Sequence, residues 1–188
     1  MSDIYLAGGC FWGLQRLMQS LKGVSDTVCG YANGNSRQKA TYESVCRGDT
    51  GFRETVKVEY DSEKISLEAI LFAFFSVIDP TVKNRQGNDV GSQYQTGIYY
   101  VDDKSKETAL RVAEIEKKKH HRFEVEIKPL SCFYEAEEYH QYYLDKNPRG
   151  YCHIPQEEIE KISRMVFDPA AYFKIDEKRI EKLYGPPV

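Results

Sequence analysis

The chain has no C-x-x-C pair, no long apolar run and no extended block of one charge. Its five cysteines, at positions 10, 29, 46, 132 and 152, are odd in number and widely spaced, which argues against a disulfide scaffold and a tetrahedral zinc site. The longest apolar run, Ala69 to Phe75, falls far short of the ~20 residues a membrane-spanning helix requires. No apolar leader precedes the first strand, so a cytoplasmic protein is expected. At a net charge of −3, with no basic run beyond Lys117, Lys118 and Lys119, the chain has no electrostatic footprint for nucleic acid. Those lysines suit the negative end of a helix. Neither an internal repeat nor a low-complexity segment is present. What remains, 188 residues of which 41% are hydrophobic and 29% charged, is enough for one domain with a sizeable core.

Against that background, Ile4 to Gly13 stands out. Ile4-Tyr5-Leu6-Ala7 reads as an apolar strand, Gly8-Gly9 as a tight turn, and Cys10 as the first residue of a helix whose buried face is Leu14, Leu17, Met18 and Leu21. A cysteine there faces unpaired N–H groups and the positive end of the helix dipole, which lowers a thiol pKa and favours nucleophilic character. Phe11 and Trp12, the single tryptophan, add an aromatic surface suited to an apolar or sulfur-bearing group. The alternative is a plain core cysteine, because free cysteines are among the most buried residues.

Farther along, Val24 to Tyr31 reads as a strand, 40–51 as a loop, and Phe52 to Tyr60 as a second strand. The alternation of that strand puts Phe52, Val56, Val58 and Tyr60 on one face, and Glu54 falls with them. A carboxylate on an apolar face is costly to desolvate and tends to stay protonated, which makes a general acid. Otherwise Glu54 sits at a frayed strand end and reaches solvent or an arginine. Ser66 is expected to cap a buried helix from Leu67 to Ile78. A polar loop from Arg85 to Tyr94 leads to a strand at 96–101, an exposed helix capped by Asp102 or Asp103 runs to about Lys119, and Phe123 to Ile127 alternates as a strand. Ala136 to Lys146 is expected to be one helix, Arg149 to Pro155 a loop, and the remainder charged helical segments, the last near Ile175 to Leu183. The resulting order predicts an α/β (α+β) sandwich: a single domain with a mixed, mostly antiparallel sheet flanked by helices, a ferredoxin-like core and a helical C-terminal tail.

Gly9-Cys10-Phe11-Trp12-Gly13 resembles the signature of the A-type peptide methionine sulfoxide reductases. Further segments are similar to that family's motifs in the same order: Thr41-Tyr42 through Gly48-Asp49-Thr50-Gly51 to Glu54, Gly87 to Tyr94, Glu135 to Tyr143 with His140-Gln141, and Asn147 to Cys152. The match runs from Leu6 to about Ile154. It implies an enzyme that reduces the S epimer of methionine sulfoxide, free and in proteins, with Cys10 attacking the sulfoxide sulfur and Glu54 protonating the oxygen. By the same resemblance Tyr42 and Tyr94 hydrogen-bond that oxygen, Phe11 and Trp12 cage the methyl group, and Asp89 orients the bound residue. The sulfenic acid left on Cys10 condenses with Cys152, and thioredoxin, or dithiothreitol in vitro, reduces the disulfide. No metal or bound organic cofactor is implied, and a monomer is expected.

One departure is visible. Many members continue into a glycine-rich tail with a further recycling cysteine, whereas this chain has His153-Ile154-Pro155 and a charged tail without one. Residues 1–154 are thus expected to be the catalytic domain and 155–188 a helical extension packing on it. Cys29, Cys46 and Cys132 are read as structural, with Cys46 a second candidate for resolution. The competing readings are a thiol peroxidase, a Cys-His hydrolase using His140, and a non-catalytic binder of methionine-bearing peptides.

Overall fold

Two neighbouring strands, β1 (Ser2–Ala7) and β3 (Arg53–Tyr60), form the middle of the sheet in the computed structural model, which describes residues 1–168 and Tyr172. β2 (Val24–Ala32) pairs with the other edge of β3, and β6 (Gly97–Tyr100) with the other edge of β1, all antiparallel. Two outer strands complete the six: β7 (Glu126–Pro129), parallel to β6, and β8 (Phe133–Glu135), antiparallel to β2. With helix α1 (Phe11–Gln19) between β1 and β2, and α3 (Leu67–Phe75) between β3 and β6, the inner four strands make the βαββαβ ferredoxin-like arrangement. The mixed, mostly antiparallel sheet flanked by helices is as the sequence predicts.

Apolar periodicity explains the layers. Leu14, Leu17 and Met18 of α1, Ile70, Leu71 and Phe74 of α3, and Ala109 and Val112 of α4 (Asp103–Lys117) bury with Ile4, Leu6, Val56, Val58 and Ile98 in one core. The opposite face carries a smaller cluster, Tyr5, Ala7, Ala32 and Tyr99, covered by Leu130 and Phe133. Caps sit where the sequence offers them. Ser66 Oγ accepts from Ala69 N–H, and Asp102 forms a capping box with Ser105.

Several expectations are corrected. The 40–51 segment contains a short helix, α2 (Tyr42–Cys46), because Thr41 Oγ1 accepts from Ser44 N–H and Val45 anchors it in the core. The polar loop at 85–94 holds a miniature hairpin, β4 (Arg85–Gln86) and β5 (Asp89–Val90), and a 3₁₀ turn, Ser92–Tyr94. α3 ends at Phe75, three residues early, and β7 starts at Glu126, since Glu124 N–H bonds the Pro80 carbonyl instead.

The single helix expected over 136–146 is broken into a 3₁₀ turn, Glu138–His140, and α5 (Tyr143–Lys146), with Tyr142 between them in left-handed geometry at φ +52°. Gln141 is the cause. Its side chain accepts from Cys29 N–H at 2.9 Å and donates to the Cys29 carbonyl at 2.8 Å, so the buried amide acts as one rung of a strand ladder. α6 (Gln156–Ser163) buries Ile159 and Ile162 in the main core. The helix expected near Ile175 to Leu183 lies outside the described residues. No helix among the described residues is long and apolar enough to cross a membrane.

Candidate active site

The β1–β3 register sets the centre of the site. Leu6 pairs with Val56, so the turn that follows β1 passes beside Glu54, which itself pairs with Tyr31 of β2. Gly9 makes the turn at φ +83°, and a β-carbon there would lie 2.6 Å from Gln86 Cβ, so both conformation and space require glycine. Cys10 follows as the N-cap residue of α1.

Glu54 is 2% exposed, and its Oε2 accepts from Phe11 N–H at 3.2 Å, the first turn of α1. It therefore does not fray into solvent. Burial pushes its carboxyl up to about 8, against the pull of the Phe11 N–H, with Asp89 adding to the rise. At neutral pH it holds a proton. The Cys10 thiol is 7% exposed, and its pKa is raised by burial first and then by Glu54, while the Trp12 backbone N–H works the other way. That corrects the expectation of a depressed thiol pKa: the helix terminus is present, but desolvation outweighs it.

Two phenols complete a polar cluster. Tyr42, at the start of α2, and Tyr94, at the end of the 3₁₀ turn, are both half-buried, and both have pKa values raised first by burial, then for Tyr42 by Cys46 ahead of Glu54 and Cys10, and for Tyr94 by Glu54 ahead of Tyr42 and Cys10. Both remain hydrogen-bond donors. Glu137 fixes the first of them: its Oε1 accepts from Tyr42 N–H and its Oε2 from Tyr31 O–H, each at 2.8 Å. Burial would raise the Glu137 carboxyl, but these donors hold it below the usual carboxylate range.

Aromatic groups form the apolar side. Trp12 is half-buried, stacks on Tyr143 at 3.7 Å between centroids, and donates from Nε1 to His140 Nδ1 at 3.1 Å. Phe11, 1% exposed, packs behind them against Tyr31 and His140. Asp89, in the small hairpin, accepts from Tyr151 O–H at 3.1 Å. Gln86 holds that hairpin, donating to the Asp79 carbonyl and to Thr96 Oγ1, each at 2.8 Å.

Cys152 comes to the same place from the other end of the chain. A β-carbon on Gly13, one turn after Cys10, would lie 3.0 Å from its Sγ. The thiol donates to the Ile154 carbonyl at 3.0 Å. Of the other cysteines, Cys29 is buried with its Sγ 3.8 Å from the Phe11 carbonyl, Cys132 is half-buried, and Cys46 is exposed near Tyr42. Every residue expected at the site thus gathers around Cys10. Sequence reasoning missed Glu137, the supporting role of His140 and the position of His153, each of which faces groups far away in the chain: Tyr31 and Tyr42, Trp12, and Gly9 with Gly13. Among the described residues no cluster of three or more His, Cys, Asp or Glu side chains is arranged to hold a metal ion.

A thiol, a protonated acid, two phenol donors, an aromatic wall and a second thiol suit two-electron reduction of a polar S–O bond followed by disulfide formation. Comparison with known proteins agrees. The sequence profile of the family described as "Peptide methionine sulfoxide reductase" matches residues 2–169. The "Peptide methionine sulfoxide reductase MsrA" of Clostridium acetobutylicum is 50% identical over 162 residues, 86% of this chain and 99% of that protein. Reduced Mxr1 from Saccharomyces cerevisiae superposes with a TM-score of 0.75 at 38% identity, covering 80% of this chain and 88% of that one. The same yeast protein in complex with Trx2 gives 0.54 at 26% identity, covering 76% and 84%. With the profile spanning most of the chain and half of the aligned positions identical to a relative covered over nearly its whole length, the chain belongs to the peptide methionine sulfoxide reductase family.

Proposed function

We propose that the chain reduces methionine S-sulfoxide, free and in proteins, with Cys10 as the nucleophile and Glu54 as the acid. The carrying observation is the buried, protonated Glu54 that the β1–β3 register sets beside Cys10. The sulfoxide oxygen lies toward Glu54, Tyr42 and Tyr94, and the methyl group against Trp12, with Phe11 behind it. Asp89 orients the bound residue.

Cys10 sulfur attacks the sulfoxide sulfur while Glu54 gives its proton to the oxygen. The S–O bond of the substrate is lost, methionine leaves, and Cys10 carries the oxygen as a sulfenic acid, its sulfur oxidised by two electrons as the substrate's is reduced by two. A neutral Glu54 places no negative charge beside the thiol. The remaining obstacle to the thiolate is burial, which the Trp12 N–H and the α1 terminus partly offset.

Cys152 then displaces hydroxide from Cys10 to give the disulfide, and a thioredoxin reduces it by thiol–disulfide exchange. The yeast relative's complex with Trx2 supports that reductant. A reducing compartment such as the cytoplasm fits a chain whose cysteines are all free. We take the catalytic unit to be 1–154 and to act as a monomer; the burial of Ile159 and Ile162 in the core supports an extension that packs on it.

The two separated epimers of a methionine sulfoxide peptide, supplied with thioredoxin, its reductase and NADPH, test the reading. Turnover of the S epimer alone is expected. Turnover of neither, alongside rapid peroxide consumption, would replace it with a thiol peroxidase.

A further inference from the structure

One side chain covers both glycines that bracket Cys10. A β-carbon on Gly9 would lie 3.4 Å from His153 Nε2, and one on Gly13 would lie 3.3 Å from His153 Nδ1 and 3.0 Å from Cys152 Sγ. The imidazole therefore lies across the turn that carries the first thiol and next to the second. Both of its nitrogens are buried, and apart from the Gly8 backbone beside the ring neither has a hydrogen-bond partner. An unpaired buried polar group is ordinarily destabilising, so such a group calls for an explanation.

The surroundings set its state. The Asp89 charge and the Gly8 carbonyl favour a proton on the ring, but burial outweighs them and lowers the His153 pKa. At neutral pH the ring is neutral, with one nitrogen able to accept a proton. Cys152 has the opposite problem. Burial raises its thiol pKa despite the Ile154 backbone and the Arg16 charge, and its proton points at the Ile154 carbonyl. A thiol in that state is a poor nucleophile without a base. The other acidic and basic groups nearby are placed differently: Glu54 holds its own proton, Asp89 accepts from Tyr151, and His140 has its Nδ1 occupied by Trp12 and its free Nε2 turned toward Glu137 at 3.9 Å.

Taking Cys152 as the resolving thiol, as proposed above, we propose that His153 is a further catalytic residue, the general base of the disulfide-forming step. The Cys152 S–H turns from the Ile154 carbonyl to the imidazole and gives up its proton. The thiolate attacks the sulfur of the Cys10 sulfenic acid, an S–S bond forms, and the S–O bond of Cys10 breaks. The departing hydroxide takes the proton back from the imidazolium and leaves as water. Cys152 sulfur is oxidised by one electron and Cys10 sulfur reduced by one, so the step needs no outside reagent.

Single-turnover measurements without external reductant test this. Methionine formation and Cys10–Cys152 disulfide formation are followed in the same samples of wild type and His153→Gln, between about pH 6 and 10, with the sulfenic acid trapped by dimedone. A general loss of folding slows both steps together. The wild-type disulfide rate is expected to be nearly level with pH above the histidine's ionisation. The variant should be ~10²-fold slower at pH 7 and should climb with pH toward wild type, because hydroxide replaces the missing base. Dimedone adducts should accumulate in it at neutral pH. An unchanged disulfide rate at pH 7, or an equal loss at every pH, would overturn the proposal and leave His153 a packing residue. A wild type that forms sulfenic acid but never links Cys10 to Cys152 would overturn it differently, by removing Cys152 as the resolving thiol.

Discussion

On the proposed mechanism, Glu54 is where the chemistry concentrates at the scale of single residues. Its proton and its burial have one origin, and both have a pH signature. Below about pH 8 the carboxyl can donate, and above it the acid is lost and a negative charge returns beside Cys10. The rate of the first half-reaction, read as methionine formed in a single turnover, should therefore fall as pH rises through about 8. Glu54→Gln should lose that rate by ~10²–10⁴-fold. Stability should move the opposite way. A folded-state pKa raised from 4.5 to about 8 contributes stability that is fully present below the lower value and is lost as pH climbs to the upper one. Glu54→Gln has no such titration, so its unfolding free energy relative to wild type should rise across that window, by up to about 4 kcal/mol at pH 8. A variant that lost activity and also became less stable relative to wild type with rising pH would contradict the assignment. Period-two alternation made Glu54 legible, because it placed a carboxylate among Phe52, Val56 and Val58. The Cys10 pKa was not legible, since a helix terminus is a local feature of sequence and desolvation is not.

The segment that joins Ala136 to Lys146 shows what a period cannot reveal at the scale of elements. Its tyrosines and leucine have helical spacing, yet Gln141 spends its amide on both backbone groups of Cys29 and on the Ala136 carbonyl. Tyr142 N–H is taken by Gln15 Oε1 in turn. A partner more than a hundred residues away decided the local structure. Gln141→Ala should leave the buried Cys29 N–H unpaired, while the Cys29 carbonyl keeps the Ala136 N–H at 2.9 Å, and destabilise the fold by ~1–3 kcal/mol in chemical denaturation. α1 offers the converse experiment. Gly13→Ala in an ordinary helix would stabilise by ~0.5–1 kcal/mol. Here the new β-carbon would sit 3.0 Å from Cys152 Sγ and 3.3 Å from His153 Nδ1, so the loop at 149–155 must give way. Disulfide formation should slow by roughly tenfold, equivalent to ~1.4 kcal/mol, and by more than methionine formation does.

Across the whole molecule, the order of strands and helices was readable because the apolar runs are clean and Ser66 and Asp102 mark helix starts. The pairing of distant positions was not readable from periodicity. Cys152 comes to the helix turn that begins at Cys10 because α1 packs against α5 and α6 and the intervening loop folds back over Gly13. If Cys152 is the resolving thiol, Cys152→Ser should hold Cys10 as a sulfenic acid, detectable by mass spectrometry after one turnover. An internal disulfide in that variant would assign the role to Cys46, the exposed thiol near Tyr42.

The raised pKa and burial of Cys10 also govern what the resting protein ignores. Alkylating agents and peroxide react with thiolates, and a thiol that keeps its proton and exposes 7% of its surface offers them little. In the substrate-free protein, iodoacetamide should label exposed Cys46 first and buried Cys29 last, with Cys10 among the slow sites. The molecule is thereby spared from consuming itself on the oxidants that create its substrate. On the proposed mechanism its reactivity is rationed by fit: only a group shaped to enter between Glu54, the two phenols and Trp12 would meet the sulfur under conditions in which it can react.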